Sequence, residues 1–407
     1  MASVQVQVAS EVPFLNRKET SEEEKKNDLI SFAPVSYSPS ITLQYPYPPN
    51  TIFPLALSPV QAGLPLHDLI DSIKRLSAAG KIRDLLNAHG GAIFFKDLGL
   101  RSAEEFSQFA QAFGWTPHED IGNPVRRTVV AYNVATANEG PNTMPVYPHN
   151  EFGLSPHYPA YVFFYCLSAP ESGGETPINN SLVLYERLKE AVPEFIDELA
   201  EKGVKYQLFY PNKPRPDTSS PGTSVLQSYG VKVQDTDSVD EARRKIELEI
   251  KRLPTATWVW ENQSEANPLG DLRVWQRLPA LRQHPQTGRT TFFNNMISRF
   301  LSAQAAGSLE PPHINKDGRY QPPAFYGDGS PIPHRYLQTA VEIVKQTRSL
   351  ITWKEGDVLL LDQPFIKQAR AILANRSVKI QNLAVQHARE PWTGQRKLLA
   401  SLWDENN

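Results

Sequence analysis

The sequence predicts a mainly β domain with helices packed around its sheets. Short runs of β-branched, aromatic and aliphatic residues recur along the chain and are separated by turn residues, a pattern typical of a closed or sandwiched antiparallel sheet. These strand-like runs lie at 92–95, 128–134, 161–166, 204–209, 290–294 and 358–361. No internal repeat accompanies them, so the pattern favours one domain rather than an array of small units.

Helical periodicity marks the stretches that should cover the sheets. Apolar residues recur there at intervals of three and four, which places them on one face of a helix. The stretches lie at 66–76, 82–86, 106–113, 184–199 and 242–250. Ser102 with Glu105, and Ser238 with Glu241, have the spacing of an N-terminal capping box, so a helix is expected to begin after each serine.

The chain divides into an N-terminal arm and one large domain. Residues 1–65 are interrupted by prolines and lack sustained periodicity, so they are expected to form an irregular arm, from which Tyr45, Tyr47 and Phe53 could dock on the body. Residues 66–407 are assigned to the domain. Past its first residues, the region 204–236 is rich in proline, serine and glycine and is expected to form loops over the mouth of a site.

Composition restricts the kinds of partner. The 407 residues carry 42 Lys and Arg against 44 Asp and Glu, a net charge of −2, so neither nucleic acid nor an anionic membrane surface is an expected partner. A small molecule is the expected ligand. No secretory signal or membrane span is expected from the N-terminus, and Cys166, the single cysteine, suits a reducing, cytoplasmic location. The oligomeric state stays open.

Three separated residues could hold a metal ion: His149, Glu151 and His387. Side chains two apart on an extended segment point the same way, so His149 and Glu151 can reach one ion. Two imidazoles and one carboxylate are the ligand set of non-haem iron oxygenases, but zinc accepts the same set, so a zinc hydrolase is a competing interpretation. A similar triplet from His118 to Asp120 is expected by chance and is interpreted as structural.

The stretches around His149 and Glu151 carry a family resemblance. They lie at 147–152, 159–166 and 171–177, and the last contains Gly173-Gly174-Glu175-Thr176-Pro177. Their order resembles the TauD/TfdA family of Fe(II)/2-oxoglutarate dioxygenases, and within it the clavaminate synthase-like branch, whose carboxylate ligand is glutamate. The resemblance spans roughly residues 85 to 404, and its His-x-Glu and Gly-Gly-Glu-Thr-Pro stretches are the most specific parts.

The resemblance implies a fold and an activity. The fold would be a double-stranded β-helix, a jelly-roll core with helices outside. Fe(II) would be held by His149, Glu151 and His387, with 2-oxoglutarate as cosubstrate and O2 as oxidant. The activity would couple oxidative decarboxylation of 2-oxoglutarate to succinate with hydroxylation, desaturation or cyclisation of a small organic molecule.

The resemblance also implies which residues bind 2-oxoglutarate. Thr176 lies where the family supplies a hydroxyl, and Arg396 and Lys397 lie where it supplies a cation for the distal carboxylate. Arginine offers a fork of N–H donors whereas lysine is a point charge, so Arg396 is the first choice. Relatives commonly carry paired arginines here and a further arginine four residues on, where this chain has Ala400. Arg389 is a weaker candidate, expected in a surface ion pair.

The segment 363–381 separates this chain from the family pattern, because relatives run almost directly from the strand at 358–361 to the distal histidine. The segment carries four cations and no acid. It is interpreted either as a loop extruded at a turn, which costs modest entropy, or as translated non-coding sequence. If it displaces His387, the protein would be a non-catalytic, dioxygenase-like scaffold.

Overall fold

Two sheets packed face to face position the candidate site. The computed structural model describes residues 32–125, 127–137, 140–213, 224–283, 288–363 and 385–406. The strands in these ranges are β1 (Phe32–Pro34), β2 (Ile41–Thr42), β3 (Ile52–Phe53), β4 (Leu55–Pro59), β5 (Ala92–Phe95), β6 (Thr116–Pro117), β7 (Val129–Ala131), β8 (Val134–Thr136), β9 (Val146–His149), β10 (Tyr161–Ser168), β11 (Ser172–Gly173), β12 (Thr176–Asn180), β13 (Val204–Tyr210), β14 (Ala256–Glu261), β15 (Asp271–Leu278), β16 (Leu281–Gln283), β17 (Thr290–Phe292), β18 (Phe325–Tyr326), β19 (Ser349–Ile351), β20 (Val358–Asp362), β21 (Val385–Arg389), β22 (Trp392–Thr393) and β23 (Lys397–Asp404).

Helices surround these sheets. The helices in the same ranges are α1 (Leu66–Ala78), α2 (Lys81–Ala88), α3 (Ala103–Gln111), α4 (Ser181–Ala191), α5 (Pro193–Lys202), α6 (Val225–Tyr229), α7 (Val239–Ile250), α8 (Met296–Ala305) and α9 (His334–Thr347). None of the helices in the described part of the chain is both long and apolar enough to cross a membrane.

The larger sheet has the strand order β1-β4-β5-β20-β10-β23-β8-β7, with β6 paired to β23. β4 and β5 run parallel, whereas the central strand β10 pairs antiparallel with β20 on one side and with β23 on the other. The register sets Phe163 of β10 opposite Leu360 and Ser401. A continuous apolar run such as 161–166 fits this central place, because both faces of the strand are buried.

Side-chain alternation divides the central strands between two cores. Phe163 and its neighbours on one face pack with helices α1–α3, from which Ile73 and Phe106 contribute fully buried side chains. Val162 and Phe164 point to the other face, where they join Ile178 of the second sheet in a separate core. The second core therefore fills the space between the two sheets.

The second sheet, in the order β19-β12-β21-β9, carries His149, Thr176 and His387. β21 is an inner strand that pairs with β12 and with β9. The register places His387 of β21 opposite Ile178 on one side and opposite His149 on the other. Two histidines far apart in the chain thus become cross-strand neighbours.

A third layer covers the outer side of the second sheet. Helices α4, α5, α8 and α9 pack with β13 in a core that includes Leu184, Phe195, Phe300 and Leu337. Asn179 of β12 donates from Nδ2 to the carbonyl oxygen of Val344 in α9, which joins this layer to the sheet. A small sheet, β14-β15-β13-β18, continues the layer outward.

The N-terminal segment differs from the expected irregular arm. Residues 32–59 carry four short strands, and β4 joins the larger sheet beside β5. Phe53 is fully buried between the sheets, as expected for a docked side chain, whereas Tyr45 remains 71% exposed. Backbone pairing of β4 with β5 holds this segment on the domain. The positions of the prolines in the sequence do not reveal such pairing. Residues 1–31 lie outside the described residues.

The structure corrects other sequence expectations locally. The strand predicted at 128–134 is a hairpin, β7 and β8, because Asn133 adopts a left-handed conformation (φ 50°) that asparagine tolerates in a turn. The region 204–236, expected to form loops past its first residues, contains helix α6. The β14–β15 hairpin and α9 lie outside the predicted elements. In α9, Tyr336, Leu337 and Ala340 have helical spacing, so the signal was present in the sequence.

Candidate functional site

The structure brings together His149, Glu151 and His387. His149 ends β9, Glu151 lies in the turn that follows, and His387 comes from β21. One potential ligand atom from each side chain lies within 4.8 Å of the others. The imidazole rings of His149 and His387 are 4.2 Å apart, and Nε2 of His387 is 3.3 Å from Oε2 of Glu151. Two cis ligands at bonds of about 2.1 Å would be about 3 Å apart, so this spacing suits a shared ion.

The backbone orients the His149 ring. Its Nδ1 lies 2.8 Å from the carbonyl oxygen of Tyr147, and only a protonated Nδ1 can donate to a carbonyl. Burial, followed by the nearby His387, lowers the pKa of His149 to about 4, so the ring is neutral at pH 7. A neutral ring protonated at Nδ1 presents the lone pair of Nε2, which is the form that binds a metal.

Glu151 is a buried carboxylate that remains ionised. Burial raises its pKa, but the Arg127 guanidinium and the two imidazoles outweigh burial and hold the pKa well below the usual range. Arg127 donates from Nη2 to Oε1 over 2.6 Å. Oε2 is buried and faces Nε2 of His387 at 3.3 Å. The carboxylate therefore has one oxygen held by a cation and the other available to an ion.

Asn150, between the two candidate ligands, points to the opposite side of the segment and fixes it. Its backbone N–H donates to Oδ1 of Asn295, 2.8 Å away. Its Oδ1 accepts from the backbone N–H of Asn294 at 3.2 Å and from Nε2 of Gln386 at 3.3 Å. Because Gln386 precedes His387, this buried amide ties together the chain segments that carry all three candidate ligands.

His387 keeps this position beside a part of the chain that is not described. Residues 364–384 lie outside the described residues, and most of the segment expected to be unusual, 363–381, falls there. On the near side, Gln363 is fully buried and donates from Nε2 to the carbonyl oxygen of Val385, over 2.8 Å. The ends of β20 and β21 are thus joined directly, two residues before His387.

Thr176 and Arg396 form a second cluster at the start of β12. Thr176 is buried, and its Oγ1 accepts from Nε1 of Trp353 at 2.9 Å and from Nη2 of Arg396 at 3.4 Å. Nε of Arg396 donates to the carbonyl oxygen of Gly174, 2.9 Å away. Burial, with a smaller contribution from Arg389, lowers the pKa of Arg396 to about 10, so it remains cationic at pH 7. Its described hydrogen bonds all go to uncharged acceptors.

The two glycines before Thr176 make this packing sterically feasible. Both adopt φ of 70°. A Cβ on Gly173 would lie 2.3 Å from the carbonyl oxygen of Pro391, and one on Gly174 would lie 2.8 Å from Cδ of Arg396. The Gly-Gly pair is therefore needed where β11 meets β22 and where the Arg396 side chain crosses the backbone.

The two candidate cations for the cosubstrate, Arg396 and Lys397, differ in burial. Lys397 begins β23 and is exposed, whereas Arg396 is partly buried beside Thr176. The expectation that Arg389 lies in a surface ion pair is wrong. Arg389 is two residues from His387 on β21, is buried, and donates to the carbonyl oxygens of Pro141 and Met144. Side chains two apart on a strand point the same way, so Arg389 lies on the same face of β21 as His387.

His118 agrees with its predicted role, whereas Arg127 is a contact of the site that no motif predicts. Nδ1 of His118 lies 2.8 Å from Oδ1 of Asp404, a carboxylate from the far end of the chain, which agrees with the structural role expected for it. Arg127 contacts Glu151 but was not identified from the sequence. It belongs to no motif, and an arginine before a strand carries no distinguishing signal.

Known proteins resemble the chain in sequence. Residues 51–363, more than half of the chain, match the family model described as Taurine catabolism dioxygenase TauD, TfdA family. A clavaminate synthase-like protein of Arabidopsis thaliana is 27% identical over 354 residues, which are 86% of this chain and 93% of that protein. The dapdiamide synthesis protein DdaC of Enterobacter agglomerans is 22% identical over 333 residues, 79% of this chain and 84% of that protein.

Among solved structures, a taurine dioxygenase from Burkholderia xenovorans matches with a TM-score of 0.43 and 14% identity, covering 93% of this chain and 90% of that one. The family assignment depends on the sequence match over residues 51–363, within which His149, Glu151 and Thr176 fall. The chain belongs to the TauD/TfdA family of dioxygenases and has a clavaminate synthase-like homologue.

Proposed function

We propose that this chain is an Fe(II)/2-oxoglutarate-dependent oxygenase that acts on a small organic molecule. The observation that carries the proposal is the grouping of His149, Glu151 and His387, with one potential ligand atom of each within 4.8 Å of the others. Two imidazoles and one carboxylate on one side of an ion leave further coordination positions open for cosubstrate and oxygen. The family membership of the chain makes a dioxygenase the appropriate class.

The donor set fits iron in its details. His149 presents Nε2 because Nδ1 donates to Tyr147, and Glu151 presents Oε2 because Oε1 is held by Arg127. Oε2 is a buried anionic oxygen that faces Nε2 of His387 at 3.3 Å, and a cation shared by these two atoms would offset the cost of burying the carboxylate. Partners that orient ligands in this way are a regular part of metal sites.

The second cluster fits one carboxylate of 2-oxoglutarate. The partly buried Arg396 guanidinium has only uncharged hydrogen-bond acceptors among its described partners, and the Thr176 hydroxyl lies beside it. An anion would offset the cost of burying this cation and accept from its N–H fork. We assign the distal carboxylate to Arg396 and Thr176. The exposed position of Lys397 does not favour it as the anchor.

When bound, Fe(II) with 2-oxoglutarate and O2 would supply the oxidising chemistry, yielding succinate and a hydroxylated, desaturated or cyclised product. The protein's own residues would bind and orient these components. His149, Glu151 and His387 would hold the ion, and Arg396 with Thr176 would set the direction of the cosubstrate. The buried sheet-to-sheet core around Phe164, whose ring is 4.9 Å from that of His387, would keep water from one side of the site.

The architecture supports the fold that this function would use. Two sheets enclose a common apolar core, and the candidate ligands extend from the smaller sheet into the space beside that core. We propose that these sheets form a double-stranded β-helix. Strand β4 belongs to the larger sheet, so we place residues 32–65 with the catalytic body.

Anaerobic titration of the full-length protein with Fe(II) and 2-oxoglutarate tests the proposal. We expect a visible metal-to-ligand charge-transfer band in the wild type, its loss in His149→Ala, and its retention in His67→Ala, whose side chain is 78% exposed. On admission of O2, succinate should form in the wild type and in His67→Ala. Absence of the band in folded wild-type protein, or its persistence in His149→Ala, would contradict the proposal.

The competing interpretation is a non-catalytic scaffold in which the segment 363–381 displaces His387. The position of His387 opposite His149 supports the catalytic interpretation instead. A zinc hydrolase would use the same three ligands but has no need of the cation and hydroxyl at Arg396 and Thr176. Succinate formation that requires both iron and 2-oxoglutarate would distinguish the oxygenase from both alternatives.

A further inference from the structure

A cavity of about 430 Å³ is lined in part by Arg127, the residue that contacts Glu151 of the candidate metal group. Its described lining comes from the β7–β8 hairpin, the inner face of β23, the loop before β7, and helix α6. This volume is within the range of about 300 to 1,000 Å³ typical of pockets for small molecules. This size suits a compact metabolite rather than a folded macromolecule.

Arg127 connects the cavity to the metal group. It lines the cavity, and its Nη2 also donates to Oε1 of Glu151 over 2.6 Å. Its side chain is 15% exposed, and its Nε is buried without a hydrogen-bond acceptor among the described residues. A guanidinium has five N–H donors, so the contact with Glu151 leaves donors for a second anion. A ligand anion bound there would lie beside the metal group.

Arg127 also supplies a positive charge to the cavity. It is the one lysine or arginine among the lining residues that the structure describes. From β23 the lining receives Ala400 and Leu402, which bring no charge. Asp120, the one described lining carboxylate, is exposed and accepts from Nδ2 of Asn123 at 3.2 Å, so water and an amide donor screen its charge.

We propose that this cavity is the site of the primary substrate, and that Arg127 binds a carboxylate of that substrate. The inference rests on the proposed function and specifies the substrate class, a small carboxylic acid. A bidentate guanidinium–carboxylate contact would orient the substrate. Because Arg127 also donates to Glu151, the carbon atoms next to the bound carboxylate would be those nearest the metal group.

Binding to the metal-free, full-length protein tests this proposal independently of iron chemistry. The probe is a pool of the common L-amino acids and of unbranched mono- and dicarboxylic acids, each paired with its primary amide, observed by saturation-transfer NMR. We expect at least one carboxylate to bind, and its amide to bind about 10- to 100-fold more weakly, the loss typical of a charged hydrogen bond. This comparison requires no substitution.

Substitutions of Arg127 then test whether the carboxylate binds at that residue. Arg127→Met should weaken binding of the selected carboxylate about 10- to 100-fold, and Arg127→Lys, which keeps the charge without the fork, should lie between. Arg244→Met is the matched control, since Arg244 is an exposed arginine that also pairs with a glutamate, Glu241, and its substitution should leave binding unchanged. Thermal melting confirms that each variant is folded.

Three results would overturn the inference: no carboxylate in the pool binds, the amides bind as tightly as the acids, or a folded Arg127→Met keeps full affinity. The charge-transfer titration with Fe(II) and 2-oxoglutarate examines the cosubstrate site separately. Loss of that band with intact carboxylate binding would refute the proposed function alone. A normal band without carboxylate selectivity would refute only the substrate assignment.

Discussion

Arg127 Nη2 lies 2.6 Å from Oε1 of Glu151, while Oε2 of the same carboxylate faces Nε2 of His387 at 3.3 Å. One side chain thus receives a cation on one oxygen and presents the other to the proposed metal. The contact keeps Glu151 ionised despite its burial and would leave one oxygen for a metal ion. The behaviour of the metal site should therefore depend on residues beyond its three ligands.

Metal binding should stabilise the fold. A divalent ion that binds only the folded protein adds about 2.7 kcal/mol at roughly 100 times its Kd. We expect Fe(II) under anaerobic conditions, or Mn(II) as a redox-stable substitute, to raise the melting temperature of the wild type. Glu151→Gln should remove the increase, whereas Glu190→Gln on the exposed end of α4 should keep it. An equal increase in Glu151→Gln would rule out Glu151 as a ligand.

Gly174→Ala should weaken 2-oxoglutarate binding. The new Cβ would lie 2.8 Å from Cδ of Arg396, so the guanidinium must move from Thr176. Gly318→Ala is the control, because Gly318 has a similar φ of 72° with no atom near the added Cβ. Equilibrium titration of the charge-transfer band should give a higher Kd for 2-oxoglutarate in Gly174→Ala alone. Equal Kd values in both variants would show that Arg396 does not depend on this glycine.

The Thr176 hydroxyl should contribute to cosubstrate affinity together with Trp353. Trp353 donates to Oγ1 of Thr176, which directs the hydroxyl hydrogen toward another acceptor. We expect Thr176→Val to raise the Kd for 2-oxoglutarate by about 2- to 12-fold, the range for one hydrogen bond of 0.5 to 1.5 kcal/mol. Trp353→Phe should have a smaller effect that vanishes in the Thr176→Val background. Strictly additive losses would indicate that the two side chains act independently.

Asn150→Ala should destabilise the fold. The buried Asn150 amide accepts from Asn294 and Gln386, and its removal leaves both donors without that acceptor. We expect a loss of about 1 to 3 kcal/mol in the free energy of unfolding, measured by urea denaturation. Gln304→Ala, at an exposed position of α8, should change it little. Similar losses in the two variants would mean that the Asn150 hydrogen bonds contribute no more to the free energy of unfolding than an exposed side chain does.

Deleting residues 364–381 should leave a folded protein with an intact iron site. Gln363 donates to the carbonyl oxygen of Val385, so the ends of β20 and β21 are close. The three residues left between Gln363 and Val385 span roughly 10 Å when extended, enough for a short connection. The shortened chain should give the same charge-transfer band as the full chain. A band that forms only after the deletion would instead identify the segment as inhibitory.

Local sequence patterns predicted the helices and strands whose conformation depends on residues close together in the chain. Ala92–Phe95 is a strand with the predicted bounds, and Ser102 and Ser238 accept from the backbone N–H three residues on, as N-cap residues do. The split of 128–134 into a hairpin was missed because one asparagine in a left-handed conformation interrupts an otherwise strand-like run. Apolar content alone does not reveal such a turn.

By itself, the sequence determined the dioxygenase family and the motifs from which the proposed metal ligands come, because those motifs are short and their residue types and spacing are read directly along the chain. Only the tertiary structure decided that His387 lies opposite His149, that Arg396 rather than Lys397 lies beside Thr176, and that Arg127 contacts Glu151. Each of these relationships joins residues on different strands or loops. Strand register and burial set such contacts, and neither is encoded in the local spacing of the residues involved.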